Sequence, residues 1–218
     1  MFKTPSYLNY KTFHQFLDAA DRDEANYPAS DMCEDAIKHF GMSCLLTNGQ
    51  GQTPLMRMAV AGWDDLALAL VKKHPKAAQA IDWEGRPVWY YLMQNEPYAP
   101  DPNSIRTFQR FLKFPPLKNG DCPQHLLARN ILSCEGNCVS NFALNQNKSA
   151  FSIFINTPED LLVSNNEGER PLDILLPCLH LFDSDEQNVL QELINADQKQ
   201  RLNDTVKDNG ISSTARKM

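Results

Sequence analysis

The side chains whose spacing most resembles a ligand set are Cys122-x-x-His125 and, further on, Cys134-x-x-x-Cys138. Zinc takes four such ligands in a closed tetrahedron, often paired at short intervals. These residues therefore define one alternative function, a small zinc-dependent enzyme using the Cys122, His125, Cys134 and Cys138 region. Within it, Cys134-Glu135-Gly136-Asn137-Cys138 also suits a reversible disulfide or a reduced turn. Two acid groups could serve general acid–base chemistry: Asp64 with Asp65, and Asp183 with Asp185 and Glu186. Both open helical patterns, where negative charge stabilises the helix dipole, and that reading is preferred. Gly49-Gln50-Gly51-Gln52 lacks the Gly-Lys-Ser/Thr that completes a phosphate loop. No nucleophile elbow or metalloprotease motif occurs, and the five histidines show no base–nucleophile spacing. The expectation is a non-catalytic protein with no cofactor and no bound metal.

Composition narrows the partners. At 218 residues, 42% hydrophobic and 22% charged, the chain can bury a core and is too apolar for general disorder. A formal charge of −6 disfavours nucleic acid, because phosphate binding needs a positive field. It fits solubility, or a neutral or basic protein partner. The six cysteines show no disulfide-framework spacing, which predicts a reduced, cytosol-like compartment. No run of 18 apolar residues exists, so no membrane span is expected, and residues 1–7 lack the apolar core of a secretory signal.

The elements that would position any site are helices separated by glycine turns. Phe13, Phe16, Leu17 and Ala20 fall at i, i+3, i+4 and i+7, and Ser30 to Gly41 reads as a capped second helix ending at glycine. Thr53-Pro54 is a helix start: threonine caps orphan amides, and proline at the first position sacrifices no hydrogen bond. That helix ends at Gly62, and Trp63 to Val71 supplies another. The turn glycine then recurs at Gly85, 34 positions on, and at Gly120, 35 further, with Pro87 and Pro123 behind them. Gly168, followed by Pro171, is a later copy after 48 residues. In that long interval, residues 147–155 suggest a truncated unit whose second helix starts at Thr157-Pro158.

The stretch Gly51-Gln52-Thr53-Pro54-Leu55-Met56-Arg57-Met58-Ala59 resembles an ankyrin repeat, whose signature is a β-turn plus two helices with a T-P-L-H-x-A core. Cys122-Pro123-Gln124-His125 occupies the Thr-Pro-Leu-His positions of a later copy. The resemblance implies an all-α ankyrin-repeat solenoid of five to six helix-turn-helix units with short β-turn fingers. Residues 1–47 would form a degenerate capping unit, 48–200 the array (units starting near 48, 82, 118, 145 and 166), and 201–218 a polar mobile tail. It also implies that His125 bonds backbone in neighbouring turns instead of a metal.

Such arrays bind proteins through their fingers and concave helices. The resemblance carries that role to Gln50, Gln52, Met56 and Arg57 in the best unit, the last two as outward-facing positions. In the next unit it falls on Trp83, Glu84, Arg86, Tyr90 and Tyr91, with Trp89 as core and Trp83 as the exposed anchor. A Pro-rich insertion, Gln94 to Ser104, adds Tyr98 as a contact. The implied protein is a monomeric, cytoplasmic interaction module. The resemblance extends to bacterial effectors delivered to host cytosol, with an immunity protein neutralising a toxin, or a eukaryotic regulator, as alternatives.

Overall fold

A computed structural model describes residues 10–20, 30–94, 102–136 and 141–215. The fold is all-α: α1 (Phe13–Ala20), α2 (Ser30–Phe40), α3 (Pro54–Ala61), α4 (Asp64–Lys73), α5 (Val88–Leu92), α6 (Pro102–Phe108), α7 (Pro123–Gly136), α8 (Asn141–Ile153), α9 (Pro171–Leu175) and α10 (Ser184–Ala215). Short 3-10 turns at Gly41–Leu45, Pro75–Gln79 and Pro158–Leu161 lead from a second helix toward the next glycine turn. A fourth, Leu176–Leu181, separates α9 from α10.

The helices form two rows. α1 packs on α3, α3 on α5, and α7 on α9, while α2 packs on α4 and α6 on α8. Within units, α3 lies against α4 and α7 against α8. One continuous apolar core runs the length of the stack, from Phe13 and Phe16 through Leu55, Trp89 and Ile131 to Leu175 and Ile194. Local chemistry marks the boundaries. Thr53 Oγ1 accepts from the Met56 amide at 3.4 Å, and α3 stops at Gly62, whose φ of 69° only glycine adopts cheaply. The acids singled out from sequence sit at helix starts: Asp64 and Asp65 open α4, and Asp183 Oδ1 accepts from the Asp185 and Glu186 amides at the start of α10.

Two boundaries differ from expectation. Position 145 lies inside α8, and the 48-residue interval holds two long helices, α7 and α8, and a return through Phe154 to Ser164. The stretch from 201 onward is helical as far as Ala215, continuing α10 past the point where Arg170 and Arg201 both grip Asp197. Nothing in 201–215 breaks a helix except Gly210, and a polar composition without proline lets a helix already anchored at Leu190 and Ile194 propagate.

Candidate functional site

Four turns precede α3, α5, α7 and α9, and they share one hydrogen-bond pattern. In residues 48–52, the Asn48 amide donates to Gln52 O (2.9 Å) and the Gly51 amide to Asn48 O (3.0 Å). The same two bonds recur between Asp82, Gly85 and Arg86 (3.0 and 3.0 Å), Leu117, Gly120 and Asp121 (2.7 and 2.9 Å), and Asn165, Gly168 and Glu169 (2.9 and 3.0 Å). Each glycine has φ between 77° and 84°. Three turns open with Asn or Asp because the side-chain oxygen closes the loop: Asn48 Oδ1 accepts from Gln50 and Gln52, Asp82 Oδ1 from Arg86, and Asn165 Oδ1 from Glu167 and Glu169. Leu117 cannot do this, and Asn119 Oδ1 takes the Asp121 amide instead.

The turns stack. A Cβ on Gly51 would fall 2.4 Å from Trp83 Cδ1, one on Gly85 2.3 Å from Lys118 Cε, and one on Gly120 2.7 Å from the Asn166 amide nitrogen. Trp83, Lys118 and Asn166 are all the second residue of the following turn, so each turn lays that residue across the previous glycine. At Gly51 and Gly120 glycine is required twice over, by φ and by space, whereas at Gly85 the neighbour is the flexible end of Lys118 and φ alone decides.

The second turn carries most of the side chains selected from sequence. Arg86 Nε bonds Asp82 Oδ2 at 2.7 Å, and Arg86 Nη1 reaches Glu84 at 2.8 Å. The guanidinium lies 5.2 Å from the Tyr90 ring centre and 5.5 Å from that of Tyr91. Tyr91 donates its hydroxyl to Asp82 Oδ2 at 2.5 Å and receives Gln52 Nε2 at 3.4 Å. Burial pushes the Asp82 carboxyl up, but hydrogen bonds from Tyr91 and Arg86 outweigh it and hold the group below its ordinary value. Burial, then the neighbouring Asp82, push the Tyr91 phenol up.

Alternation along the extended entry to the turn puts Asp82 inside, 4% exposed, and leaves Ile81 and Trp83 outside at 62% and 71%. Gln50 and Glu84 are exposed at their turn tips, and Tyr90 is partly exposed.

Three assignments change. Met56 is fully buried, not outward-facing: it stands three residues after the capping Thr53 and turns back so that Sδ accepts the Thr53 amide at 3.4 Å. Tyr91 is also buried, its ring packed in the core and its hydroxyl committed to Asp82. Arg57 is tied away from the turns, to Asp18 at 2.6 Å and to His14 O at 3.3 Å. Tyr98 and the adjoining Pro-rich residues 95–101 lie outside the described residues, as does Cys138.

His125 repeats the Met56 geometry. Its Nδ1 accepts the Cys122 amide at 3.2 Å, and its Nε2 meets Glu169 O at 3.1 Å, so Nε2 carries the proton. Both ring nitrogens serve backbone, one in its own turn and one in the next. Cys122 Sγ sits 3.0 Å from Nδ1, and burial pushes its thiol up, away from the thiolate that metals and electrophiles require. Cys134 is directed at Asn130 O (3.2 Å), with burial again raising the thiol. Among the described residues, no three His, Cys, Asp or Glu side chains group closely enough to hold a metal ion. No helix among them is long and apolar enough to cross a membrane.

Sequence reasoning missed the residues that hold the turns: Asp82, and the cluster of Asp121, Arg129, Asn165 and Glu169. Arg129 bridges Asp121 (2.7 Å) and Glu169 (2.5 Å), while Asn165 Nδ2 reaches Asp121 Oδ1 at 2.9 Å. The signal was present, since Asn48, Asp82 and Asn165 each stand three positions before a turn glycine. No protein-family model matches the chain, and no curated protein is significantly similar to it.

Proposed function

We propose that the chain is an irregular ankyrin-type solenoid that acts as a non-catalytic protein-binding module, with the second turn as its main contact. Support for the architecture comes from four equivalent turns, each followed by a proline-initiated or proline-capped helix, and from a histidine that ties one turn to the next. The observation that carries the binding role is Trp83: a large aromatic ring, 71% exposed, on a backbone held by fixed hydrogen bonds.

Trp83 has Ile81 exposed on the same side and rests one edge over Gly51. A seated ring loses little rotamer freedom when a partner covers it, which is the economy behind aromatic hot spots. Arg86 and Tyr90 extend this surface with a stacked cation whose charge Asp82 and Glu84 already balance. The partner it suits is a protein with an apolar patch.

The test is quantitative affinity enrichment with immobilised wild-type protein and with Trp83→Ala and Ile81→Asp variants. At least one protein should be retained by wild type and lost from both variants, while far-UV circular dichroism stays unchanged. If every retained protein binds all three equally, the second turn is not the contact surface.

A further inference from the structure

Charge is paired unevenly over the molecule. Arg57, Arg86, Arg129, Arg170 and Arg201 each hold a carboxylate. Among the described residues, Arg106 and Arg110 hold none, and neither do Lys72, Lys73, Lys76 and Lys113. All six of these side chains are exposed. No acid occurs from Leu66 to Ile81 or from Pro102 to Gly120, so both stretches carry positive charge only.

The two stretches are tied together at both ends. Ser104 donates its hydroxyl to Asp64 where α6 and α4 begin, and Lys118 lies over Gly85 where the chain has passed into the turns. Leu70, Val71 and Ala77 on one stretch and Ile105, Phe108 and Leu112 on the other face the core, which leaves the cations between them outside. Phe111, 37% exposed, adds an aromatic ring between Arg110 and Lys113 in the chain. Toward α2 the charge is balanced: Lys38 pairs with Asp35 at 3.3 Å, and Glu34 lines the same depression as Lys72 and Lys73. The helix dipole accounts for Lys72 and Lys73 in the last turn of α4. It does not account for Lys76, past the end of α4, or for Arg110 and Lys113, past the end of α6. Like charges gathered on one face repel one another, and no ion pair here offsets that.

We propose that this face of α4 and α6 docks an acidic protein segment that also carries an apolar side chain. The carboxylates of the segment meet the six cations, and its apolar side chain packs on Phe111. Charge complementarity selects the anion, and the rest of the chain limits its extent. A net charge of −6 repels a long polyanion or an anionic membrane that reaches beyond the patch. A short segment stays within the roughly 8 Å over which salt leaves the cations unscreened. This surface belongs to the second row of helices and does not rest on the Trp83 contact.

Random peptides displayed on phage and selected at low ionic strength on the immobilised full-length chain test this. Enriched peptides should carry excess Asp and Glu beside an apolar residue. By fluorescence anisotropy they should bind Arg106→Glu with Arg110→Glu, and Lys73→Glu with Lys76→Glu, at least about tenfold more weakly than wild type. Lys11→Glu with Lys199→Glu shifts net charge equally at two exposed lysines elsewhere, and it should leave binding within about twofold, as should Trp83→Ala. The reversed side chains have no partners to lose, so far-UV circular dichroism should not change. Should a reversal disturb the fold, Arg106→Gln with Arg110→Gln removes charge alone and should still weaken binding several-fold. Absence of enrichment over an unrelated protein, peptides without acidic excess, or a loss matched by the Lys11 and Lys199 pair overturns the proposal. Phosphatidylserine vesicles and a single-stranded oligonucleotide are run in parallel. If either binds through Arg106 and Arg110 while no acidic peptide is enriched, the occupant is wrong and the proposal falls. Peptides lost only on Trp83→Ala also overturn it, while supporting the second-turn contact.

Discussion

The turn pair 48–52 and 82–86 and the turn pair 117–121 and 165–169 share a backbone and differ in almost everything else. In the first pair, the tie between turns is a chain of neutral and singly charged groups: Gln52 to Tyr91, Tyr91 to Asp82, Asp82 to Arg86. In the second it is an ion cluster, Asp121–Arg129–Glu169 with Asn165, reinforced by the Asn166 amide on Asn119 O at 2.9 Å and by Asn166 Nδ2 on Lys118 O at 2.8 Å. The residue lying over the previous glycine is tryptophan in the first pair and asparagine in the second. A repeat thus fixes where a side chain goes and leaves open what it does there. The second pair commits its side chains to holding the stack, whereas the first holds the stack with buried groups and keeps an aromatic ring for solvent.

The glycines give the largest expected effects and the sharpest separation of stack from turn. Gly120→Ala places a Cβ 2.7 Å from the Asn166 amide nitrogen, a backbone atom that cannot move without breaking its bond to Asn119. Added to about 1–2 kcal/mol for the left-handed conformation, the total loss is about 3 kcal/mol or more by urea unfolding. Gly168→Ala meets nothing within 4 Å and carries only the conformational part. Gly85→Ala meets the flexible end of Lys118 and falls close to Gly168→Ala. Equal losses at 120 and 168 would mean that stacking contributes nothing to the glycine requirement.

Removing the buried acids comes next. Asp121→Ala strands Arg129 and Asn165; because Arg129 is 39% exposed and retains Glu169, the expected loss is about 2–3 kcal/mol, below the full cost of a broken buried pair. Asp82→Ala strands the Tyr91 hydroxyl and loses one Arg86 partner, an effect of about 2 kcal/mol. The two clusters share no partner, so the double variant should lose the sum to within about 0.5 kcal/mol. Non-additivity beyond that would show that the pairs unfold as one unit with coupled electrostatics.

What the sequence disclosed, and what it did not, follows the same division. Gly51, Gly85, Gly120 and Gly168 and the prolines behind them were legible because backbone constraints admit few residues. His125 was legible as a backbone-bonding residue for the same reason. Met56 was misplaced because a thioether has no pattern of its own; only its position three after the cap shows that it turns inward. The extent of α8 around position 145 was not legible because a longer helix keeps helical periodicity and offers no break to read. Arg129 was invisible because its acids come from two turns, 8 and 40 residues away.

Acid titration compares the clusters through their carboxyls. Burial raises Asp121, but bonds from Arg129, Asn165 and Asn119 bring it below its ordinary value, as Tyr91 and Arg86 do for Asp82. A carboxyl depressed in the folded state contributes stability that is fully present above its unfolded value, about pH 4, and is lost as pH falls through the folded value beneath it. Stability should therefore hold on descent to about pH 4 and fall below it. Asp82→Ala and Asp121→Ala should each flatten that acid limb. A variant whose limb keeps the wild-type slope identifies a cluster that does not sustain the depressed carboxyl.

Trp83→Ala should cost least, under about 1 kcal/mol, because most of the ring never leaves water. Its value lies in the cycle with Gly51→Ala. In wild type a Cβ at Gly51 meets Trp83 Cδ1 at 2.4 Å, Cγ at 2.5 Å and the Trp83 amide nitrogen at 2.8 Å. Without the ring, only the backbone contact and the positive φ remain, so Gly51→Ala should be cheaper in the Trp83→Ala background by about 1 kcal/mol. No coupling would mean that the ring is not seated on Gly51, and an unseated ring would lose rotamer freedom on binding like any surface side chain. The same measurement therefore decides whether the first turn pair presents a preorganised anchor or merely an exposed aromatic.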